Sequence, residues 1–512
     1  MKKTYLIIGA LAIGTYASAQ KPADPTKYAK LITAEDARKH LSILASDEFE
    51  GRETGKPGAE KAANYIAGEF KKLGLQAPVN GSYFLDVPLV ENSMKISISV
   101  NGQDAANGVD FFTRSNVADN TITANEIVFV GYGTDAELGS IDITNKVVLL
   151  INEDKPEAGK TTNTSYRATA ARNAILKNLQ SKKPALILAA NGEIADLMKR
   201  FGSSVLGGRL TIKTGETKSA TQPIAVVHIT TALADQLVKS SGKSYADLKG
   251  TNAQVIKADV KADFHVENKD VKAVDVLGYL PGTDLKDEVL VFSAHYDHIG
   301  LNPNGKDKVN NGADDDGSGT TGILEIARAF TQAKKDGHGP RRSVLFLGNV
   351  GEEKGLLGSE YYTDHPVYPL ANTITDLNID MIGRVGEEYI GKADSANYVY
   401  TIGSAMLSKE LHQINEDANA KYTHLDQDYK YDDPKDPNRF YYRSDHYNFA
   451  KHGVPIIFYF NGVHADYHQP GDEVSKINFP LLAKRAQLVF YTGWELANRD
   501  KRPVVDGTPS SN

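Results

Sequence analysis

The sequence predicts an α/β fold in which helices cover a central sheet. Three observations predict it. The runs Val289–Ala294, Ser343–Leu347 and Pro455–Phe460 are largely apolar without strict alternation, as strands buried on both faces are. A helical pattern over Thr321–Phe330 separates the first two. Imidazoles and acids fall at or just beyond the carboxyl ends of these runs and of a fourth, Ile374–Ile379. Open α/β sheets place their sites there.

The 512 residues allow two domains and a large core, and 41% hydrophobic with 24% charged residues is a globular composition. Lys2 and Lys3, an apolar run from Tyr5 to Ile13, and Ala17-Ser18-Ala19 read as a signal peptide over 1–19, cut before Gln20. The run is short for a membrane span, so no stable membrane insertion is expected after cleavage. Losing Lys2 and Lys3 takes the formal charge from −7 to −9, and this acidic balance gives no sign of a nucleic-acid partner. No cysteine is present, which excludes disulfides and leaves His and carboxylate as the only zinc ligands.

Residues 20–118 form the first part of the main domain. Thr33-Ala34-Glu35-Asp36 resembles a capping box opening a helix that carries Ala37, Leu41 and Leu44 on one face. A charged, Gly-rich loop from Ser46 to Gly58 contains Asp47-Glu48-Phe49-Glu50-Gly51-Arg52. A second helix with Ala62, Ile66, Phe70 and Leu73 ends at Gly74. Residues 119–261 read as an insert with no chemistry of its own. Its strands are Glu126–Gly133, Lys146–Ile151, Ala185–Ala190 and Gln222–Val227, and its helices Ala168–Leu179 and Ala232–Val238. Residues 262–497 complete the main domain, with a surface loop over Asp426–Asn438, and 498–512 read as a disordered tail.

Five pieces carry the chemistry, and together they suit a pair of zinc ions that activate water. In His295-Tyr296-Asp297, positions two apart on an extended segment point the same way, so Asp297 can hold one nitrogen of His295 while the other binds metal. His298 points to the other face, which makes it the weaker ligand candidate, and it reads first as a polar loop histidine. Asp314-Asp315-Asp316 precedes a helix; three acids there could simply cap it, but beside the other pieces Asp315 reads as the bridging ligand. Glu352 and Glu353 project differently and can split tasks, Glu353 on metal and Glu352 as general base. Asp380 follows an apolar strand, where a carboxylate is costly unless paired or metal-bound. Beside His468, Tyr467 could donate its hydroxyl to an oxyanion. His464 reads as structural.

The ordered set His-x-Asp, Gly-Ala-Asp-Asp, Glu-Glu-x-Gly-Leu-x-Gly-Ser, Asn-x-Asp-Met-Ile-Gly and Tyr-His-x-Pro-x-Asp, from His295 to Asp472, resembles the secreted two-zinc aminopeptidases and their glutamate carboxypeptidase relatives. The stretch Leu41–Leu75 resembles the front of such enzymes. The resemblance implies a mixed central sheet flanked by helices, of the zinc exopeptidase-like kind. It implies two Zn2+ ions, His295 and Asp380 on one, Glu353 and His468 on the other, and Asp315 between them. Glu352 is then the proton acceptor, Asp297 the outer partner of His295, and Tyr467 stands where some members carry an oxyanion tyrosine. Tyr442-Arg443-Ser444-Asp445-His446 resembles a substrate-pocket stretch. Val128–Gly133 and Asn145–Leu149 make the insert similar to a protease-associated domain, β-rich within an α/β frame.

The expectation is therefore an exported metalloaminopeptidase acting on peptides. A carboxypeptidase or dipeptidase would use the same metals and grip the other end of the peptide. A glutaminyl cyclase of similar fold would use one zinc, leaving His295 and a bridging Asp315 redundant. A non-catalytic receptor-like relative would lack ligands, and none is missing. Side-chain preference and oligomeric state are not encoded in any motif.

Overall fold

Thr33 caps the first long helix, α1 (Ala34–Leu44), by accepting the Asp36 N–H at 3.1 Å. The box is not closed by Asp36. The Thr33 N–H donates instead to Glu325 Oε2 at 3.4 Å, which ties the helix start to another element. Helix α2 (Pro57–Leu73) has proline in its first turn, where the missing N–H costs nothing, and ends at the left-handed Gly74.

The computed structural model describes residues 23–509 apart from 114–116, 158, 160, 168, 206–207, 214–223, 304, 393–396 and 434. The signal-peptide reading over 1–19 lies outside the described residues. The chain divides into two units, one of residues 1–87 and 273–512, the other Pro88–Lys272. The second unit is thus wider at both ends than the sequence-based insert of 119–261.

In the first unit the sheet is built from β1 (Gln254–Leu280, its last residues), β2 (Leu285–His295), β3 (Arg342–Asn349), β4 (Thr373–Ile379), β5 (Tyr398–Ile402), β6 (Asp426–Asp428) and β7 (Ile456–Phe460). Their order is β6–β5–β7–β4–β2–β3–β1. The four strands β7, β4, β2 and β3 are mutually parallel, whereas β1 and β5 pair antiparallel to them, so the sheet is mixed. Helices α3 (Gly317–Lys335), α4 (Leu357–Asp364), α5 (Lys409–Ala418), α6 (His446–Lys451) and α7 (Phe479–Asn498) complete the unit.

Both faces of the sheet are covered, which is why its strands carry apolar side chains at successive positions. On one face Phe292 stacks on Phe346 (5.6 Å) and meets Phe330, which packs against Phe490 and Trp494 of α7. On the other, Val289, Val291, Leu345 and Leu347 join Tyr362 of α4 and Phe449 of α6. Each such fully buried Leu, Val or Phe contributes about 1.5–3 kcal/mol, so this two-sided burial carries the fold without disulfides.

Two segments are more ordered than their polarity predicts. Asp426–Asn438 contributes β6 and a 3-10 turn, Lys430–Asp432, with Tyr431 buried. The tail does not run free after α7. Arg499 pairs with Glu410 (2.7 Å), and the N–H groups of Asp506 and Gly507 donate to the Leu407 carbonyl at 3.0 and 3.1 Å.

In the second unit, Asn120–Phe129 pairs antiparallel with the start of Gln254–Leu280 and parallel with Val147–Ile151. The sheet continues through Leu186–Ala190 and Val226–Ile229 to an antiparallel Phe111–Thr113. Phe129, Leu149, Leu188, Val227 and Leu237 fill its core. Both clusters of metal-capable side chains among the described residues lie in the first unit.

Candidate metal centre

Because β7, β4, β2 and β3 run parallel, their carboxyl ends share one edge of the sheet. That topology gathers the dispersed motifs. β2 ends in His295, β3 leads to Glu352 and Glu353, β4 to Asp380, and β7 to His464 and His468. The loop before α3 adds Asp315 to the same place.

Asp315 lies between two imidazoles. His295 Nε2 is 3.4 Å from its Oδ1, and His468 Nε2 is 3.1 Å from its Oδ2. On one side His295 Nε2 is also 3.6 Å from Asp380 Oδ2. On the other, His468 Nε2 is 3.0 Å from Glu353 Oε2. All five residues read from the sequence as metal ligands therefore meet. The neighbouring acids of the triplet are occupied elsewhere. Asp314 accepts the Gly383 N–H (2.7 Å) and faces His464 Nε2 (3.2 Å); Asp316 caps α3 at Gly319 and accepts the Met381 N–H, both at 2.9 Å. Gly312, at φ +56°, makes the turn possible, because a side chain there would strike the Asp315 carbonyl and the His298 ring.

The residues fit a metal pair on their own geometry. Tetrahedral ligands ~2.0–2.2 Å from zinc lie roughly 3.3–3.6 Å from one another, close to the spacings around His295 and slightly wider than those around His468. Asp315 Oδ2 and His468 Nε2 are buried without an ordinary hydrogen-bond partner. Without a cation the cluster draws protons: burial lowers His468, but Asp315 and Glu353 outweigh it and push the imidazole up to about 10. Dications would replace those protons.

Glu352 lies 3.9 Å from His295 Nε2 and lines the pocket above the cluster. Burial pushes its carboxyl well above the usual carboxylate range, while His295 opposes the shift. Tyr467 stacks on His468 (3.9 Å), lines the same pocket, and accepts a hydrogen bond from Arg443 at 3.4 Å. Burial raises its hydroxyl too, keeping it a neutral donor. Asp297 is placed as a positioning group in a different way from the sequence reading. His295 Nδ1 lies 3.0 Å from the Asp297 main-chain carbonyl and 3.7 Å from its carboxylate. The carboxylate accepts instead from Thr54 Oγ1 (2.5 Å) and the Glu352 N–H (3.2 Å).

His298 corrects the sequence reading. It is no polar loop histidine: it is fully buried, with Nδ1 2.9 Å from Glu353 Oε1 and 3.7 Å from Asp315 Oδ2. The chain leaves extended geometry after β2, so strand alternation no longer sets which way residue 298 points. Three other residues escaped the sequence. Asp472 accepts the N–H groups of Asp314 and Asp315, Ser444 donates to Asp380 Oδ2 at 2.6 Å, and Arg52 donates to the carbonyls of Leu44, Tyr296, Asn311 and Gly312. Asp472 and Ser444 lay inside quoted motifs; Arg52 sat in a loop with no spacing signal.

Residues 275–493 match the model of Peptidase family M28. Aminopeptidase YwaD of Bacillus subtilis (strain 168) is 27% identical over 242 residues, 45% of this chain and 46% of that protein. Leucine aminopeptidase 2 of Trichophyton equinum is 26% identical over 294 residues, 53% of this chain and 52% of that protein. The chain spans about half the length of these curated relatives. An aminopeptidase from Aneurinibacillus sp. strain AM-1 has a TM-score of 0.56 at 19% identity, covering 96% of this chain and 100% of its own. BSAP, a zinc aminopeptidase from Bacillus subtilis, has a TM-score of 0.53 at 19% identity, covering 93% and 98%. At that identity the likeness is one of fold. Residues 275–493, the stretch that matches the model of Peptidase family M28, hold every side chain of the cluster.

Proposed function

We propose that the protein is an exported aminopeptidase that holds two zinc ions and removes N-terminal residues from peptides. One observation carries the reading: the two oxygens of a single buried carboxylate, Asp315, face imidazole nitrogens from opposite sides. In this reading His295 and Asp380 hold one ion, Glu353 and His468 the other, and Asp315 both. Zinc supplies polarisation of the scissile carbonyl and a more acidic water. Glu352 takes the proton of the attacking water and passes it to the leaving amine. Its raised carboxyl must ionise first, and the charge of nearby dications favours that. The neutral Tyr467 hydroxyl donates to the oxygen that gains negative charge.

The pocket beside these groups has Met381, Phe440, Phe458, Phe460 and Val463 as its apolar wall. That wall suits an apolar first side chain. Export rests on the basic, apolar and small-residue pattern of residues 1–19. No helix among the described residues is long and apolar enough to cross a membrane. The insert is read as a protease-associated-like domain outside the chemistry.

A carboxypeptidase or dipeptidase is the second reading, because Arg443 lines the same pocket and could grip a carboxylate. Hydrolysis of free and N-acetylated peptides, with and without chelator, separates the two. Cleavage of free peptides alone, lost on chelation and restored by zinc, is the expected result. Equal cleavage of N-acetylated peptides would sink the aminopeptidase reading, and activity indifferent to chelation would sink the zinc.

A further inference from the structure

Four buried polar residues outside the cluster form a continuous path to one of its acids. On β4, Asp376 and Asn378 are two apart and share a face, which Asp380 continues just past the strand end. Ser293 of β2 sits opposite Asn378 in the parallel register. Ser293 Oγ lies 2.8 Å from Asp376 Oδ1 and 2.9 Å from Asn378 Oδ1. Asn378 Nδ2 donates to Ser444 Oγ at 2.9 Å, and Ser444 Oγ donates to Asp380 Oδ2 at 2.6 Å. Asp376, Ser293 and Asn378 are fully buried, so water cannot supply a missing proton.

Counting hydrogens settles the order. Ser444 donates its one proton to Asp380 Oδ2. Ser444 can then only accept from Asn378, which turns the amide oxygen of Asn378 toward Ser293. The single Ser293 proton goes to that oxygen. The remaining contact, Asp376 to Ser293, is then left without a hydrogen unless Asp376 brings one. Flipping the Asn378 amide fails at the other end: Ser444 would give its proton to Asn378 and face the Asp380 carboxylate at 2.6 Å with none between them.

We propose that Asp376 is a positioning residue, held as a neutral carboxylic acid, that starts a one-way hydrogen-bond chain through Ser293, Asn378 and Ser444. The chain fixes the carboxylate of Asp380 toward its metal ion. Burial pushes Asp376 well above the usual carboxylate range; the Ser293 contact opposes the shift and the charge of Asp445 adds to it. A buried acid is costly when charged and unpaired, whereas a neutral one serves as a donor. The metal end of the chain rests on the zinc reading above; the proton order does not.

Neutron diffraction from crystals of the perdeuterated full chain tests the order directly. A deuteron on Asp376 aimed at Ser293 Oγ, with those of Ser293 and Ser444 aimed at Asn378 and Asp380, is the expected result. A bare Asp376 carboxylate, or a reversed Asn378 amide, overturns the proposal whether or not the crystal holds zinc. Zinc assayed in the same preparation judges the metal reading separately. Dialysis against a competing chelator then tests positioning. Asp376→Asn keeps an N–H donor and should retain zinc within about threefold of the unaltered protein. Asn378→Asp reverses the chain and should weaken retention roughly 10–100-fold, as loss of an outer-shell partner does. If Asp376→Asn loses zinc as severely as Asn378→Asp, Asp376 is not the donor.

Discussion

His298 Nδ1 lies 2.9 Å from Glu353 Oε1, with its ring 5.8 Å from that of His468. Two imidazoles therefore address one glutamate from different sides, one at each of its oxygens. On the two-zinc reading, this side of the cluster offers an extra nitrogen, as ligand or as a donor that fixes the Glu353 carboxylate. His298→Phe fills the same space without the nitrogen. It should weaken zinc at the Glu353 side by roughly 10–100-fold and spare the His295 side. Metal titration showing two unchanged affinities would return His298 to a packing role.

Glu352→Gln should keep both metals and lower turnover by at least ~10²–10⁴-fold, since a shape-matched amide cannot take a proton. Zinc content and initial rates, measured together, check this. Zinc lost in step with activity would make Glu352 a ligand.

Asp315→Asn should lose zinc from both sides at once, roughly tenfold or more in affinity, because one carboxylate faces both imidazoles. Asp314 and Asp316 are engaged with main-chain N–H groups and cannot swing in to replace it. Full occupancy in this variant would refute the bridging role.

Arg52 is a buried cation whose donors go to four main-chain carbonyls from three chain segments. Burial lowers its pKa, and Asp315, Asp316 and Asp472 oppose that. Arg52→Met leaves the carbonyls unpaired and should cost on the order of 3 kcal/mol or more in thermal or denaturant unfolding. Arg52→Lys should rescue little, since an ammonium lacks the planar fork. A loss below about 1 kcal/mol would show that the loops hold themselves.

His446 is stacked on Phe458 (4.6 Å), with Nε2–H donating to the Tyr441 carbonyl at 2.8 Å. Burial pushes its pKa from 6.5 to about 3. Between those values the unfolded chain binds a proton that the folded one refuses. Stability is therefore full above about 6.5 and falls as the pH drops toward 3. His446→Gln should flatten the unfolding free energy across that window by a few kcal/mol. An unchanged slope would place the acid sensitivity elsewhere.

The apolar strands, the helix signals at Thr33 and Gly74, and the five side chains that meet around Asp315 were legible along the chain. Each depends on a local period or on which atoms a residue offers. Local pattern alone did not separate the three acids at 314–316; the accompanying motifs picked Asp315, and the turn at Gly312 is what lets it face the imidazoles. His298 was misread for the same reason: strand alternation stopped at the end of β2, and the fold chose its direction.

The sequence by itself determined the chemistry available, namely imidazoles and carboxylates with no thiol, and the strand ends that carry them. Only the tertiary structure decided which groups meet around Asp315, what Asp297 and Arg52 bond to, and how the buried polar residues leading to Asp380 are arranged. Those outcomes depend on parallel strands bringing distant residues within a few ångströms, and on how many hydrogens a closed interior holds.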